Sequence, residues 1–493
     1  MRRFSAAASQ ANLALKHRPD LVEAYAIAAV AHEAQSDFVE AVKAREKLLE
    51  LRPNLTTNSF RLGRLYERIS KFEEAEKALK QALESKPDAA AIVAELASFY
   101  ARHGQRSKGQ ALMSAFVNSH SEDPLAHRLQ GTFYFRSLNA LQPAIGAYDK
   151  AIALSKPKEM AAQPMMDKAE VFIGLKRYKD AVKIHRQALV LVPGDVKMMG
   201  RMAETQMLAR DIDGAMATLK AIDKERPNNP PTMVLKAQVY TLQNKLEDAE
   251  KLLRRALAAR PNYGQARLQW ARIRLHEKDF LGAMAELQKI SPNDVAFSPG
   301  MRQLARIQET LGQRVEAIRT LQRLLEVDPM SNLAQMSLAR LHIANDQPDR
   351  AEKILKNLEK IRPNDAYIAM QLALAQERQG KFGAARANYQ KAWALSRAQT
   401  VGALEGQVRM MVKMGQGEQA KALLRNMIAK DPRPVAPWIL LAGAHTRAKQ
   451  WAEAQKLLDN AISTHPASEK LYLEKATFFR AQGKDTEASA FLR

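Results

Sequence analysis

The chain has 493 residues, too many for one compact core, since single cores stop growing near ~250–300 residues. It contains no cysteine, which excludes disulfides, cysteine-ligated metal sites and thiol catalysis and leaves the redox compartment open. Its net charge of +23 makes acidic protein segments and nucleic acid candidate partners.

The charge is blocked rather than uniform. Residues 1–100 carry 15 basic and 14 acidic side chains, residues 101–200 carry 15 and 8, and residues 351–450 carry 17 and 7. No apolar run approaches the ~18–20 residues that span a bilayer. The N-terminus opens with Arg2 and Arg3 but lacks the apolar core of a secretion signal.

Taken in order, residues 4–17 carry the pattern of an amphipathic helix and Pro19 closes it. A first full unit ends near Pro53. The unit at 56–87 is the clearest, with Leu62-Gly63, Tyr66, Ala75, Ala82 and Pro87, and the units at 162–193 and 230–261 repeat its alanines and terminal proline. Each unit holds two segments with apolar residues at i, i+3, i+4 and i+7, as in Leu246, Ala249, Leu252, Leu253 and Ala256, which predicts two amphipathic helices. Breakers such as Gly104 and Gly380 separate the two, and Pro87, Pro193, Pro261 or Pro363 closes the unit. Short turns make the helices antiparallel neighbours.

The period is fixed by two alanine ladders. One runs Ala181, Ala215, Ala249, Ala283, Ala317, Ala351, Ala385, and the other, twelve residues ahead, runs Ala169, Ala203, Ala237, Ala271, Ala305, Ala339, Ala373. Small residues at fixed phase predict two places per unit where backbones approach closely. The second-helix position occurs fourteen times from Ala41 to Ala488, stepping by 34 except for 35 at Ala144, 37 at Ala181 and 35 at Ala420. These steps divide the chain into residues 1–114, an irregular joint at 115–165, a regular array at 166–396 and a final stretch at 397–493. SPNDVAFSPG, at 291–300, is a second weak joint. The last residue, Arg493, falls inside a second helix, so the array is expected to continue in a longer product.

The Leu-Gly, Tyr, Ala, Ala, Pro pattern resembles the tetratricopeptide (TPR) repeat, and the resemblance covers essentially the whole chain. It implies an all-α fold: a right-handed superhelical solenoid of about 14–15 antiparallel helix pairs, whose first helices line a concave groove. It implies a non-enzymatic scaffold for protein or peptide segments, acidic ones where they meet arginine. The long, regular, alanine-rich array is similar to bacterial TPR proteins of exopolysaccharide biosynthesis and export and of PEP-CTERM-type protein sorting. Two alternatives stand beside this: a single-stranded RNA-binding helical repeat protein, and the repeat region of an enzyme whose catalytic domain lies outside the chain. The compartment stays open: cytoplasmic as the chain stands, periplasmic or membrane-associated if a signal or anchor lies beyond it.

No HExxH, GxxxxGK[ST], GxGxxG or GxSxG occurs, and no catalytic, cofactor or metal site is expected. The ten histidines are scattered and read as exposed polar residues, Glu73 and Glu74 as surface pairs with Lys71 and Lys77, and Met202 and Met411 as core. One row stands out. The ninth position of each unit, groove-facing in this family, runs Arg64, Ser98, Thr132, Glu170, Glu204, Gln238, Arg272, Arg306, Arg340, Leu374, Arg409. A row of guanidiniums a helix spacing (~8–10 Å) apart suits a partner bearing carboxylates or phosphates. Arg64, Arg272, Arg306, Arg340 and Arg409 are therefore the candidate partner-binding residues, set against a row that pairs with acids such as Glu309. The family's two-Lys, two-Asn, one-Arg peptide clamp has no counterpart in these helices.

Overall fold

The computed structural model describes residues 2–35, 37–396 and 400–491. Among the described residues it contains 29 α-helices, here α1 to α29 in chain order, and no strand. α1 (Arg2–His17) stands alone and fourteen helix pairs follow, from α2 (Val22–Ala34) with α3 (Phe38–Leu51) to α28 (Glu469–Ala481) with α29 (Asp485–Ala490). The chain divides into two compact units, Met1–Ala334 and Gln335–Arg493. The boundary read at 396/397 and the terminal Arg493 lie outside the described residues.

Both alanine ladders are core. Ala75, Ala144, Ala181, Ala215, Ala249, Ala283, Ala317, Ala351 and Ala385 are each 0% exposed. At the first-helix position Gly63 shows why nothing larger fits: a Cβ there would lie 2.7 Å from Leu79 Cγ and 3.2 Å from the Ala75 carbonyl. Each core is shared by three helices. Met233, Val234 and Ala237 of α14 (Pro230–Leu242), Ala249, Leu253 and Ala256 of α15 (Leu246–Ala259), and Ala266 and Ile273 of α16 (Gly264–His276) form one cluster. A pair alone would leave that surface open, so it needs its neighbour to fold.

The turn inside each pair is one device repeated. Thirteen of these turns have a residue at positive φ, from Ser70 (63°) through Lys278 (61°) and Gly380 (73°) to Gly483 (76°). The next residue's N–H reaches back five positions to a carbonyl near the first helix's end, as in Lys71 to Tyr66 (2.9 Å), Lys245 to Tyr240 (2.8 Å) and Lys381 to Gln376 (2.9 Å). This left-handed cap satisfies a carbonyl the helix leaves over. The resulting reversal starts the second helix, and Asp37, Asp211 and Asp279 cap its N-terminus.

The irregular steps have physical causes. The extra residue before Ala144 is absorbed by a π-turn, Phe133–Ser137, that continues α8 (Pro124–Thr132); an i→i+5 turn inserts one residue. The longer step before Ala181 holds a short 3-10 helix, Lys158–Ala161, ahead of α10 (Ala162–Gly174). Near 291–300, α17 (Phe280–Gln288) has 9 residues where the other second helices before α29 have 14. The loop that follows leads into α18 (Phe297–Thr310), and Asp294 in it accepts from the Gly264 N–H at 2.9 Å, tying the joint to the start of α16. No helix among the described residues is long and apolar enough to cross a membrane.

The histidines differ from expectation. His127, His185, His342 and His445 are buried, because each ring finds a polar partner between helices: His342 Nδ1 and His445 Nδ1 meet Gln347 and Gln450 Oε1 at 2.7 Å. The surface i,i+4 pair near Glu73 and Glu74 is Glu76–Lys80, at 2.7 Å.

Candidate functional site

First helices of consecutive pairs touch directly, α12 (Val196–Leu208) with α14 and α14 with α16, so their outward residues form a continuous face within the unit. The ninth-position residues lie along it, and the structure sorts the five arginines into different roles.

Arg64 and Arg409 are engaged by acids of neighbouring pairs. Arg64 Nε lies 3.8 Å from Glu95, which also takes a hydrogen bond from Arg102 at 2.7 Å. Arg102 forms a two-pronged contact with Glu67 at 2.8 Å on both arms, and His103 adds a third bond to that carboxylate at 2.9 Å. Burial alone would raise the Glu67 pKa, but the hydrogen bonds from His103 and Arg102 more than offset it and hold the group below the usual carboxylate range. In the other unit Arg409 donates to both oxygens of Glu377 at 2.8 and 2.7 Å, and the Tyr389 hydroxyl donates to the same carboxylate at 2.6 Å. Hydrogen bonding from Arg409, opposed by burial and helped by Tyr389, holds Glu377 at about 2. These arginines couple one repeat to the next. Glu170, also a ninth-position residue, does the same from the acidic side by pairing with Arg201 of the next pair, while Glu204 meets Arg201 within one helix. Arg340 also has a partner.

Arg272 and Arg306 are different. Both are exposed, and neither forms an ion pair among the described residues; Arg272 donates only to Gln269 of its own helix, at 3.3 Å. Partial burial lowers the Arg272 pKa from its ordinary value with no acid to offset it. The other arginines of α16 are neutralised: Arg267 by Glu286 at 2.8 Å, and Arg274 by Glu250, Glu277 and Asp279. Arg302, which the ninth-position reading missed, lies one turn before Arg306 on α18, and its buried Nε has no hydrogen-bond partner. Its signal was available, since a residue four before the ninth position shares the same helix face. Further along the face toward the N-terminus, Leu208 and Leu242, 34 residues apart, are 50% and 47% exposed.

The face thus offers two apolar side chains followed by three guanidiniums that lack acidic partners among the described residues. Among the described residues no group of three His, Cys, Asp or Glu could hold a metal ion. The strongly displaced acids, Glu352 and Glu377, are held at about 2 in ion pairs, the form of a structural bond rather than of a general acid.

A tetratricopeptide repeat model matches residues 70–132, 172–239, 310–375 and 411–472, and a second tetratricopeptide repeat model matches residues 235–294. No curated protein matches the chain. Among solved structures, a chain of the structure of Naa15/Naa10 bound to HypK-THB is 15% identical, with 100% of this chain and 92% of that one covered and a TM-score of 0.37; a likeness that slight bears on neither fold nor function. With more than half of its residues matched by one repeat model and the helix-pair phase kept from end to end, the chain belongs to the tetratricopeptide repeat family.

Proposed function

We propose that this chain is a non-enzymatic scaffold for protein–protein interaction, and that its first-helix face takes an extended or helical partner segment. The reading rests above all on Arg272, Arg302 and Arg306. Several other first-helix guanidiniums are matched by carboxylates of a neighbouring pair, as in Arg64–Glu95, Arg102–Glu67 and, in the other unit, Arg409–Glu377. These three have no acidic partner among the described residues, which supports an acidic partner from outside the chain. Leu208 and Leu242 extend the same face with apolar contacts, so the fitting segment has apolar residues at one end and Asp or Glu at the other. The regular, alanine-rich repeats favour a bacterial multiprotein assembly as the setting, such as exopolysaccharide biosynthesis and export.

The test is affinity capture from native extract with mass spectrometry, comparing the wild type with the double variant Arg272→Glu/Arg306→Glu. Both positions are exposed, so helicity and melting should stay unchanged while partners are lost. Recovery of the same partners by the variant would overturn the assignment.

A further inference from the structure

A repeat array makes contacts between neighbours only, and one contact in the first compact unit breaks that rule. α4 (Thr56–Arg68) belongs to the second helix pair and presents Arg61, Arg64 and Arg68 along one face. α19 (Arg314–Val327) belongs to the ninth. Arg68 Nη1 donates to the Val327 carbonyl at 3.3 Å, across 259 residues of chain. Around this bond lies a cavity of about 860 Å³, with Phe60, Arg61 and Arg64 on one wall and Asp294, Val295 and Asp328 on the other.

The two walls complement each other. Val327 ends α19, so its carbonyl is one that the helix leaves unsatisfied, at the negative end of the helix dipole. Asp328 follows it. Asp294 is held in place by the N–H groups of Gly264 and Ala296, at 2.9 and 2.8 Å. Opposite them, Arg68 is steadied over the Phe38 ring, 5.1 Å from its centroid. Arg61 and Arg64 already lie 3.9 and 3.8 Å from Glu33 and Glu95 on their own side, so Arg68 is the α4 guanidinium that reaches the α19 wall, where the helix end, Asp294 and Asp328 suit a cation.

We infer that α4 and the end of α19 form an ionic clasp that covers the N-terminal part of the first-helix face. The clasp opens at high ionic strength or when an acidic segment takes Arg68 from the α19 wall. Its link to partner binding rests on the function proposed above; its existence does not. The device is a single hydrogen bond beside an open cavity, unlike the apolar shared cores between neighbouring pairs.

The absence of cysteine allows a clean test. Two introduced cysteines, Glu74→Cys on α5 (Phe72–Ser85) and Glu326→Cys on α19, are the only thiols for spin labels, and both native residues are exposed. Pulsed dipolar spectroscopy on the full chain, with no partner added, should give one narrow distance at 50 mM salt. Because screening shortens the Debye length from roughly 10 Å to about 3 Å between 0.1 and 1 M, that distance should lengthen and broaden at 1 M. The variant Arg61→Glu/Arg68→Glu should show the open distribution already at 50 mM, with unchanged helicity by circular dichroism. Adding a poly-glutamate peptide at 50 mM should open the wild type in the same way. A broad distribution at low salt, or a distance that neither salt nor the variant moves, would refute the clasp while leaving partner capture through Arg272 and Arg306 untouched.

Discussion

Lowering the pH should loosen the array first around His185. This residue, on α11 (Tyr178–Leu191), is 0% exposed. Its Nε2 lies 3.0 Å from Thr205 Oγ1, and the Thr205 hydroxyl already donates to the Arg201 carbonyl at 2.9 Å, so Nε2 carries the proton and donates. Its Nδ1 faces the Met166 sulfur at 3.0 Å, a weak acceptor for a second proton. Burial, with the nearby Arg201 charge, pushes the His185 pKa from 6.5 down to about 4. A displacement of that size corresponds to roughly 3 kcal/mol of folded-state preference for the neutral ring. Between about 4 and 6.5 the unfolded chain binds the proton and the folded chain does not. Stability is therefore complete above 6.5, falls as the pH drops from 6.5 toward 4, and undergoes no further loss from this group below that. The loss belongs to α10, α11 and α12, whose shared packing holds the ring. Imidazole NMR titration gives the pKa, with His185→Gln identifying the resonance; urea melts at pH 7, 5 and 4 give the stability. Wild type should lose more than His185→Gln across this window. A ring that titrates near 6.5, or melts that fall in parallel, would refute the reasoning.

The left-handed turn residues carry strain that only glycine avoids, so Lys278→Gly should stabilise and Gly380→Ala destabilise, each by about 1 kcal/mol in urea melts. Ala249 is fully enclosed, and Ala249→Leu should cost ~1–3 kcal/mol through overpacking, seen as an early transition or a shallower melt. Glu377→Gln removes the charge that Arg409 and Tyr389 hydrogen-bond and should cost about 1–3 kcal/mol at neutral pH. Because the folded pKa of Glu377 is depressed to about 2 from 4.5, the wild-type advantage over Glu377→Gln should persist above pH 4.5 and vanish as the pH falls through about 2, read from melts at pH 7, 4.5 and 2.

Much of the fold was legible because packing in a repeat leaves a residue-level trace. Two small residues per unit at fixed phase are what two close backbone approaches require, and the burial of Ala181, Ala249 and Ala317 at 0% follows from that geometry. The prolines marked the pair ends for the same reason. Less visible was the turn within each pair. Thirteen residues adopt positive φ there, but only Gly104, Gly312, Gly380, Gly415 and Gly483 are glycine. Lys176, Arg210 and Lys278 gave no local signal, since the neighbouring helices impose the conformation. Also hidden was a polar repeat inside the core. Thr218 donates to Gln206, Thr320 to Gln308 and Asn388 to Gln376, each at 2.8 Å and each across twelve residues. These glutamines stand where Tyr66, Tyr100 and Tyr240 stand in other pairs. Read as polar residues they argue for solvent; only the facing hydroxyl or amide twelve positions on makes burial affordable. The buried histidines escaped notice for the same reason. At the candidate site, phase alone put all five arginines in one row, but it could not sort them. That distinction depends on which carboxylate of a neighbouring pair comes within reach, a contact between residues some 30 positions apart, as in Arg409–Glu377 and Arg201–Glu170.

The sorting carries the functional argument further than the row did. In a helix-pair array the positions that pack are fixed by the repeat, so partner preference resides in outward residues, those of the first helices among them. Where those residues meet their counterparts inside the chain, they stiffen the joint between pairs and offer a partner little. Glu67 with Arg102, Glu170 with Arg201 and Glu377 with Arg409 are of this kind. α16 contains no acidic residue at all, and Glu309 is the only one in α18; Arg272, Arg302 and Arg306 are left there without an ion pair among the described residues. A net charge of +23 therefore says little about specificity, because many cations are neutralised locally. The informative quantity is the local failure of that neutralisation. In the first compact unit α16 and α18 show it at three arginines on adjacent first helices, next to Leu208 and Leu242, and there a partner's acidic groups would gain from replacing water.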